Sequence, residues 1–244
     1  VDTGMHRVGA ATEVAVDVAA AIAASSATAL VGVFTHLAVA DEPDNPFNTH
    51  QLDRFDAVVA ALRDSGHRPQ FVHAANSSAT LALARARYDM VRVGIAIYGI
   101  PPGPGVDHLC AGLLPALSLH ARVAHVKRVA AGERISYGLR HVFERDATVA
   151  TLPIGYADGV PRRLHSVGGA VLIGGVRRPI VGAVTMDQLM VDCGNDDVAV
   201  GDLAVLIGRQ GMVTITAGDW AAWLDTIAYE IVCGISARVE RRPA

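Results

Sequence analysis

The apolar residues of this 244-residue chain change period at Pro101-Pro-Gly-Pro-Gly105, and no other feature constrains the fold as strongly. Before that run, short continuous apolar segments alternate with longer stretches at helical spacing. Val1 to Gly4 reads as the end of a strand, followed by strands over Ala29–Phe34, Gln70–His73 and Met90–Tyr98. Between them lie a helix over Glu13–Ala24 with Val14, Val18 and Ile22 on one face, a helix burying Leu52, Phe55, Val58, Val59 and Leu62 and stopped by Gly66, and an Ala/Leu-rich helix after Asn76-Ser77-Ser78. After the run the period becomes two. Leu117, Leu119, Ala121 and Val123 alternate with polar residues, and short strands recur at Ala147–Ile154, Ala170–Ile173, Val176–Val181, Leu189–Cys193 and Leu203–Ile207. Gly174-Gly175 is a hairpin signal, and one late helix is expected over Thr216–Ile227.

Alternating apolar strands and helices describe a parallel sheet covered on both faces. Four strands do not close a barrel, so residues 1–112 read either as a small open α/β sheet or as the second half of a (β/α)8 barrel, and residues 113–244 as an antiparallel β domain. With 51% apolar and 18% charged residues a substantial core is available. The balance of 21 cations against 24 carboxylates leaves no basic stripe for nucleic acid. No apolar run long enough to span a membrane and no signal segment is present, so a soluble, cytoplasmic protein is expected. Cys110, Cys193 and Cys233 have no metal-ligand spacing and read as small buried hydrophobes. Lys127 is the only lysine; chemistry that needs an amine uses it or a lysine outside these residues.

Each early strand ends in polar residues, which parallel α/β folds gather on one ligand face. Asn76-Ser77-Ser78, where strand passes to helix, suits a phosphate through free amides, or an ordinary N-cap. Gly94 adds a second amide-rich corner. Arg92, between Val91 and Val93, is a guanidinium that cannot shed its proton and so needs partners, in a site or in a structural ion pair. His36 at a strand end can donate, accept or titrate, and Arg7 can clamp a carboxylate or simply sit on the surface. In the second half, three polar knots break β runs: Ile135-Ser-Tyr-Gly138, Leu152-Pro-Ile-Gly-Tyr-Ala-Asp-Gly-Val-Pro-Arg162 and Thr185-Met-Asp-Gln188. Tyr137 becomes a proton carrier only beside a cation that lowers its pKa from about 10. Met186 and Tyr156 read equally as core and turn residues.

Taken in order, Asp2-Thr-Gly-Met5 with Arg7, Thr35-His36, His73-Ala-Ala-Asn-Ser77, Arg92-Val-Gly-Ile-Ala-Ile-Tyr-Gly99, Ser136-Tyr-Gly138, Pro153 to Arg162, Met186-Asp-Gln188 and Tyr229-Glu230 resemble the alanine racemase family of fold-type III pyridoxal-phosphate (PLP) enzymes. The resemblance implies the C-terminal half of a TIM-like (β/α)8 barrel followed by an antiparallel β domain, in a homodimer with shared active sites. It implies PLP with Ser77, Gly94, Ile95 and Tyr229 on the phosphate and Arg92 at the pyridine nitrogen. Arg7 and the Met186 backbone would hold the carboxylate of alanine, with Tyr156 near the entrance. Tyr137 of the partner subunit would be the base toward the L-enantiomer, tied through His36 to Arg92. The activity implied is interconversion of L- and D-alanine by two-base α-proton transfer, supplying D-alanine for peptidoglycan. Racemisation of another small amino acid such as serine, or a non-catalytic PLP- or phosphate-binding fragment, are the alternatives. The family's cofactor lysine matches no position here, since Lys127 lies in the first β-domain run, so these residues are expected to be the downstream part of a longer enzyme. Ala183 and Val93 depart from the arginine and proline common at those places.

Overall fold

The computed structural model describes residues 1–243. Chain contacts divide it into two compact units, Val1–Leu114 and Pro115 onward. In the first, α1 (Ala15–Ala24), β1 (Gly32–Phe34), α2 (Pro46–Asp64), β2 (Phe71–His73) and α3 (Ser77–Ala82) follow one another. β1 and β2 pair in parallel with Phe34 opposite His73, so the residues just past both strands, Thr35-His36 and Ala74-Ala75, emerge side by side. Asn45 caps α2 by accepting from the Phe47 N–H, with Pro46 at the first helical position, where its missing N–H costs nothing. The expected face of α2, Leu52, Phe55, Val58, Val59 and Leu62, is buried and forms a core with Val33, Val72 and Ala79.

Three elements depart from the sequence reading. On α1 the buried residues are Ala15 and Ala19, while Val14 and Val18 are exposed, so small side chains let this helix approach α2 and the larger ones face outward. At Val1–Gly4 there is only a bridge between Asp2 and Ala11, because the Asp2 carboxylate takes the N–H groups of Gly4 and His6 and turns the chain. Met90–Tyr98 is not a strand. Its Gly94 N–H is claimed by the Ser77 hydroxyl instead of a ladder neighbour, and Ile95–Tyr98 closes as a 3-10 helix.

The second unit holds β3 (Leu119–Arg122), β4 (His125–Val129), β5 (Arg134–Ile135), β6 (His141–Val142), β7 (Ala147–Leu152), β8 (Ala170–Ile173), β9 (Val176–Val181), β10 (Leu189–Asp192), β11 (Leu203–Gln210), β12 (Val213–Ile215), α4 (Ala217–Leu224) and α5 (Ala228–Gly234). Seven strands run β12-β11-β8-β9-β10-β7-β4, with β3 also on β11, every pairing antiparallel; β5 and β6 form a separate hairpin. Gly174 and Gly175 both have positive φ and join β8 to β9 as a two-residue turn, as their sequence requires. Leu164, Leu172, Leu189, Leu206, Ile215 and Trp220 fill the core with no exposed surface. The single late helix expected is two: Thr216 caps α4 in a reciprocal box with Asp219, Asp225 turns left-handed, and α5 restarts after Ile227. β5, β6 and β12 were too short for periodicity to reveal. Cys110 and Cys193 are buried as expected, but Cys233 on α5 is exposed.

Gly155 has no room for a side chain: a Cβ there would lie 2.3 Å from the Thr185 carbonyl and 2.6 Å from the Asp187 nitrogen. Gly155→Ala is expected to lower unfolding free energy by about 1–3 kcal/mol, because the obstructing atoms are backbone. Gly174→Ala, in open space but left-handed, should cost about 1 kcal/mol. Urea unfolding of the two variants checks the order.

Candidate active site

Arg92 organises the first unit. Its Nη2 donates to the Thr35 and Ala74 carbonyls, both at 3.0 Å, and lies 3.1 Å from His36 Nδ1, while Nη1 lies 2.8 Å from His73 Nδ1. The guanidinium carbon sits 5.3 Å from the centre of the Phe34 ring, which itself stacks on His73 at 5.1 Å. No carboxylate pairs with Arg92 among the described residues, so within them the guanidinium is held by neutral acceptors. Parallel pairing of β1 with β2 brings these acceptors together, since His73 ends its strand opposite Phe34 and Thr35-His36 then leaves beside Ala74.

The proton positions follow from the donor inventory. Arginine only donates, so both imidazoles accept through Nδ1 and, when neutral, carry their hydrogen on Nε2. Burial pushes the His36 pKa below the ordinary imidazole value, and Arg92 and Arg7 push it further in the same direction. Burial and then Arg92 do the same to His73. Burial and Arg7 lower Arg92 as well, from a value so high that it remains a cation. Beside this group a cavity of roughly 130 Å³ is lined by Asp2, Met5, Arg7, Phe34 and His36. The Asp2 turn that shapes one wall is also tied to the ring of His6, and these hydrogen bonds bring the Asp2 carboxyl down to about 2.

Ser77, buried at the start of α3, accepts from the Gly94 N–H at 3.0 Å and the Ala96 N–H at 3.3 Å, while Asn76 caps the helix by accepting from Ala79. The N-cap reading therefore holds for Asn76, and Ser77 instead ties α3 to the Gly94–Ile95 corner. A Cβ built on Gly94 would meet nothing within 4 Å, so open space lies against that corner.

In the second unit, Tyr137, Tyr156 and Met186 gather about one strip, residues 182–187. Ser136 Oγ donates to the Ala183 carbonyl at 3.0 Å, fixing the turn that carries Tyr137, whose side chain is 74% exposed. Ser136, Gly138 and Leu139 all have positive φ, so a cluster of left-handed residues presents that phenol. The backbones of Tyr156 and Ala157 donate to the carbonyls of Thr185 and Met186. Asp158, 7% exposed, accepts from the Gly155 N–H at 2.9 Å and holds the elbow, and its carbonyl receives Ser236 N–H just past α5, the helix bearing Tyr229. Sequence reasoning named His73 and Asp158 without seeing what they do. The signal for His73 was its place as the polar end of the Gln70–His73 strand. Lys127 lies in β4 opposite Val149, within the sheet.

The model for the alanine racemase N-terminal domain matches residues 1–102, and that for the alanine racemase C-terminal domain matches 116–243. The chain belongs to the alanine racemase family. It is 51% identical over 242 residues to alanine racemase of Symbiobacterium thermophilum and 47% over 244 residues to that of Thermobifida fusca, each alignment covering 99% of this chain and 64% of the relative. The chain thus spans less than two thirds of the length of these curated relatives. Among solved structures, alanine racemase from D-cycloserine-producing Streptomyces lavendulae matches with TM-score 0.91 at 42% identity, covering 98% of this chain and 63% of that one. The Bacillus anthracis alanine racemase with bound L-Ala-P also matches with TM-score 0.91, at 41% identity, covering 98% and 61%. Of the two arrangements that periodicity leaves open for residues 1–112, the barrel part that the resemblance implies, followed by the antiparallel β domain, is that of this family. No described helix is long and apolar enough to cross a membrane.

Because the folded state favours neutral His36 and His73, the unfolded chain takes up protons first as pH falls. Their linkage therefore lowers stability from about pH 6.5 downward and is silent above it. Imidazole proton NMR should show both rings titrating below 6.5, and Arg92→Gln should move both upward.

Proposed function

We propose that the full-length protein is a PLP-dependent racemase interconverting L- and D-alanine in the cytoplasm and supplying D-alanine for peptidoglycan. The observation that carries this reading is Arg92 held only by carbonyl oxygens and imidazole nitrogens. Its Nε makes no hydrogen bond among the described residues, which leaves a fixed cationic donor for a neutral acceptor such as a pyridine nitrogen. The open space at Gly94, rimmed by the Ser77 hydroxyl and the Ile95 corner, fits a phosphate, with Tyr229 as a further ligand. PLP, when bound, withdraws electrons from the substrate α-carbon and so acidifies its proton.

The remaining work falls to protein groups. Arg92 stays charged and does not give up its proton, so the acceptor facing it is left unprotonated and electron withdrawal stays moderate. Arg7 and the Met186 backbone orient the alanine carboxylate, and Tyr156 screens the entrance. Tyr137 of the partner subunit removes or returns the α-proton on the L-face, in a homodimer whose active sites are shared. Neutral His36, held by Arg92 through Nδ1, offers its Nε2–H to the phenol oxygen and stabilises the phenolate. A lysine outside these residues serves the opposite face, because Lys127, exposed on β4, does not stand where the family's cofactor lysine does.

In the full-length enzyme Tyr137→Phe should reduce kcat/KM in both directions by about 10²–10⁴-fold, the range for losing a positioned acid–base group. Racemisation followed by chiral chromatography checks this; activity within twofold of wild type removes Tyr137 from its role. The place of the single lysine favours a second reading for the 244-residue chain alone, as a non-covalent PLP or phosphate binder. Borohydride reduction with equimolar PLP followed by peptide mapping should then label one lysine outside residues 1–244 in the full-length protein, and give the shorter chain only the slow, unsaturable labelling of exposed amines such as Lys127.

A further inference from the structure

Gln51, Thr3 and Thr35 are 0%, 0% and 1% exposed and form one hydrogen-bonded set attached to the segment that carries His36. Its directions are fixed by counting hydrogens. Thr35 Oγ1 spends its only hydrogen on the Val1 carbonyl at 3.0 Å, so in the 2.7 Å contact between the two hydroxyls Thr3 is the donor. Thr3 Oγ1 then accepts from Gln51 Nε2 at 3.2 Å. The second Nε2 hydrogen goes to the His36 carbonyl at 3.1 Å, and Gln51 Oε1 accepts the Ala38 N–H at 2.8 Å. Flipping this amide would set Oε1 against the His36 carbonyl, so a single orientation survives.

One side chain thus grips the main chain on both sides of Leu37, immediately after the two residues that meet Arg92. Thr35 gives Arg92 its carbonyl at 3.0 Å, and His36 gives it Nδ1 at 3.1 Å. Gln51 reaches this loop from α2, a 19-residue helix whose buried positions Leu52 and Phe55 are apolar, and whose other buried amide, Asn48, donates to the Val39 and Glu42 carbonyls. A fully buried primary amide on such a face carries a desolvation cost that a methionine or leucine of similar size avoids, unless its bonds are all made. Here they are made to the carbonyl of His36, a proposed catalytic residue, to the Ala38 N–H and to the Thr3 hydroxyl.

We propose that Gln51 is a positioning residue, whose amide fixes the His36 backbone so that the imidazole keeps Nδ1 on Arg92 and its hydrogen on Nε2. The kinetic consequence rests on the racemase reading above; the tautomer does not.

The test uses full-length enzyme with Gln51→Met, which keeps length and removes all three bonds, and Gln51→Glu, which keeps the acceptor for Ala38. The ring 15N shifts of His36 should report one Nε2–H tautomer in wild type and a mixture of both tautomers in Gln51→Met. In alanine racemisation kcat should fall about 10- to 100-fold, the scale of a small misplacement, with KM within twofold. The α-deuterium isotope effect should rise from L-alanine while that from D-alanine does not, a change that loss of folded protein alone cannot produce. Gln51→Glu should lie between, which covers the case of a Met variant that folds poorly. Folded variants with wild-type His36 shifts and unchanged isotope effects would overturn the proposal. If wild-type enzyme fails to racemise alanine, the functional reading falls, and the His36 spectra still decide the role of Gln51.

Discussion

A half-buried guanidinium with no acid partner among the described residues is the constraint around which the first unit is arranged. Taking a cation out of water costs several kcal/mol unless its hydrogens are met, and Arg92 meets them with two carbonyls and two imidazoles. That choice leaves the positive charge uncompensated. Adding to the larger effect of burial, it lowers the pKa of both imidazoles; it also fixes their tautomers and keeps a field available to whatever lies alongside. A salt bridge would have stabilised the arginine equally well and extinguished the field. The parallel pair β1 and β2, the bonds of Gln51 and the cap at Asn76 are the means by which short strands hold four acceptors at that spacing.

The two units solve different problems. Short strands and helices in the first bring polar strand ends to one place. In the second, an extended antiparallel sheet and its packed helices form a stiff base from which turns project. Ile135, Phe143, Ala147, Val149 and Val181 form a small separate core at the foot of the β5–β6 hairpin, so the turn that carries Tyr137 is anchored although the phenol itself is exposed.

Much of this was legible before any coordinates. The apolar stripe of α2, the hairpin at Gly174-Gly175, the β8 and β9 boundaries and the need of Arg92 for partners all follow from period, turn chemistry and the permanence of a guanidinium charge. What escaped was decided by single polar atoms. Met90–Tyr98 has the composition of a strand, but one hydroxyl, that of Ser77, diverts its Gly94 amide. Val14 and Val18 look like a core face, yet alanines win the interior because close helix approach rewards small side chains over large ones. Gln51 gave no sign of itself, since a glutamine inside a helical pattern reads as solvent-facing until the loop it holds is known.

The cluster of left-handed residues at Ser136, Gly138 and Leu139 has a consequence for how this protein can be altered. Non-glycine residues in that region each store on the order of 1–3 kcal/mol, tolerated at functional turns because the surrounding structure over-determines them. Replacing Leu139 by glycine relieves part of that load while loosening the aim of Tyr137. Selection for heat resistance alone would therefore be drawn to this turn, trading the role proposed for Tyr137 for endurance at a place where no core residue has been touched.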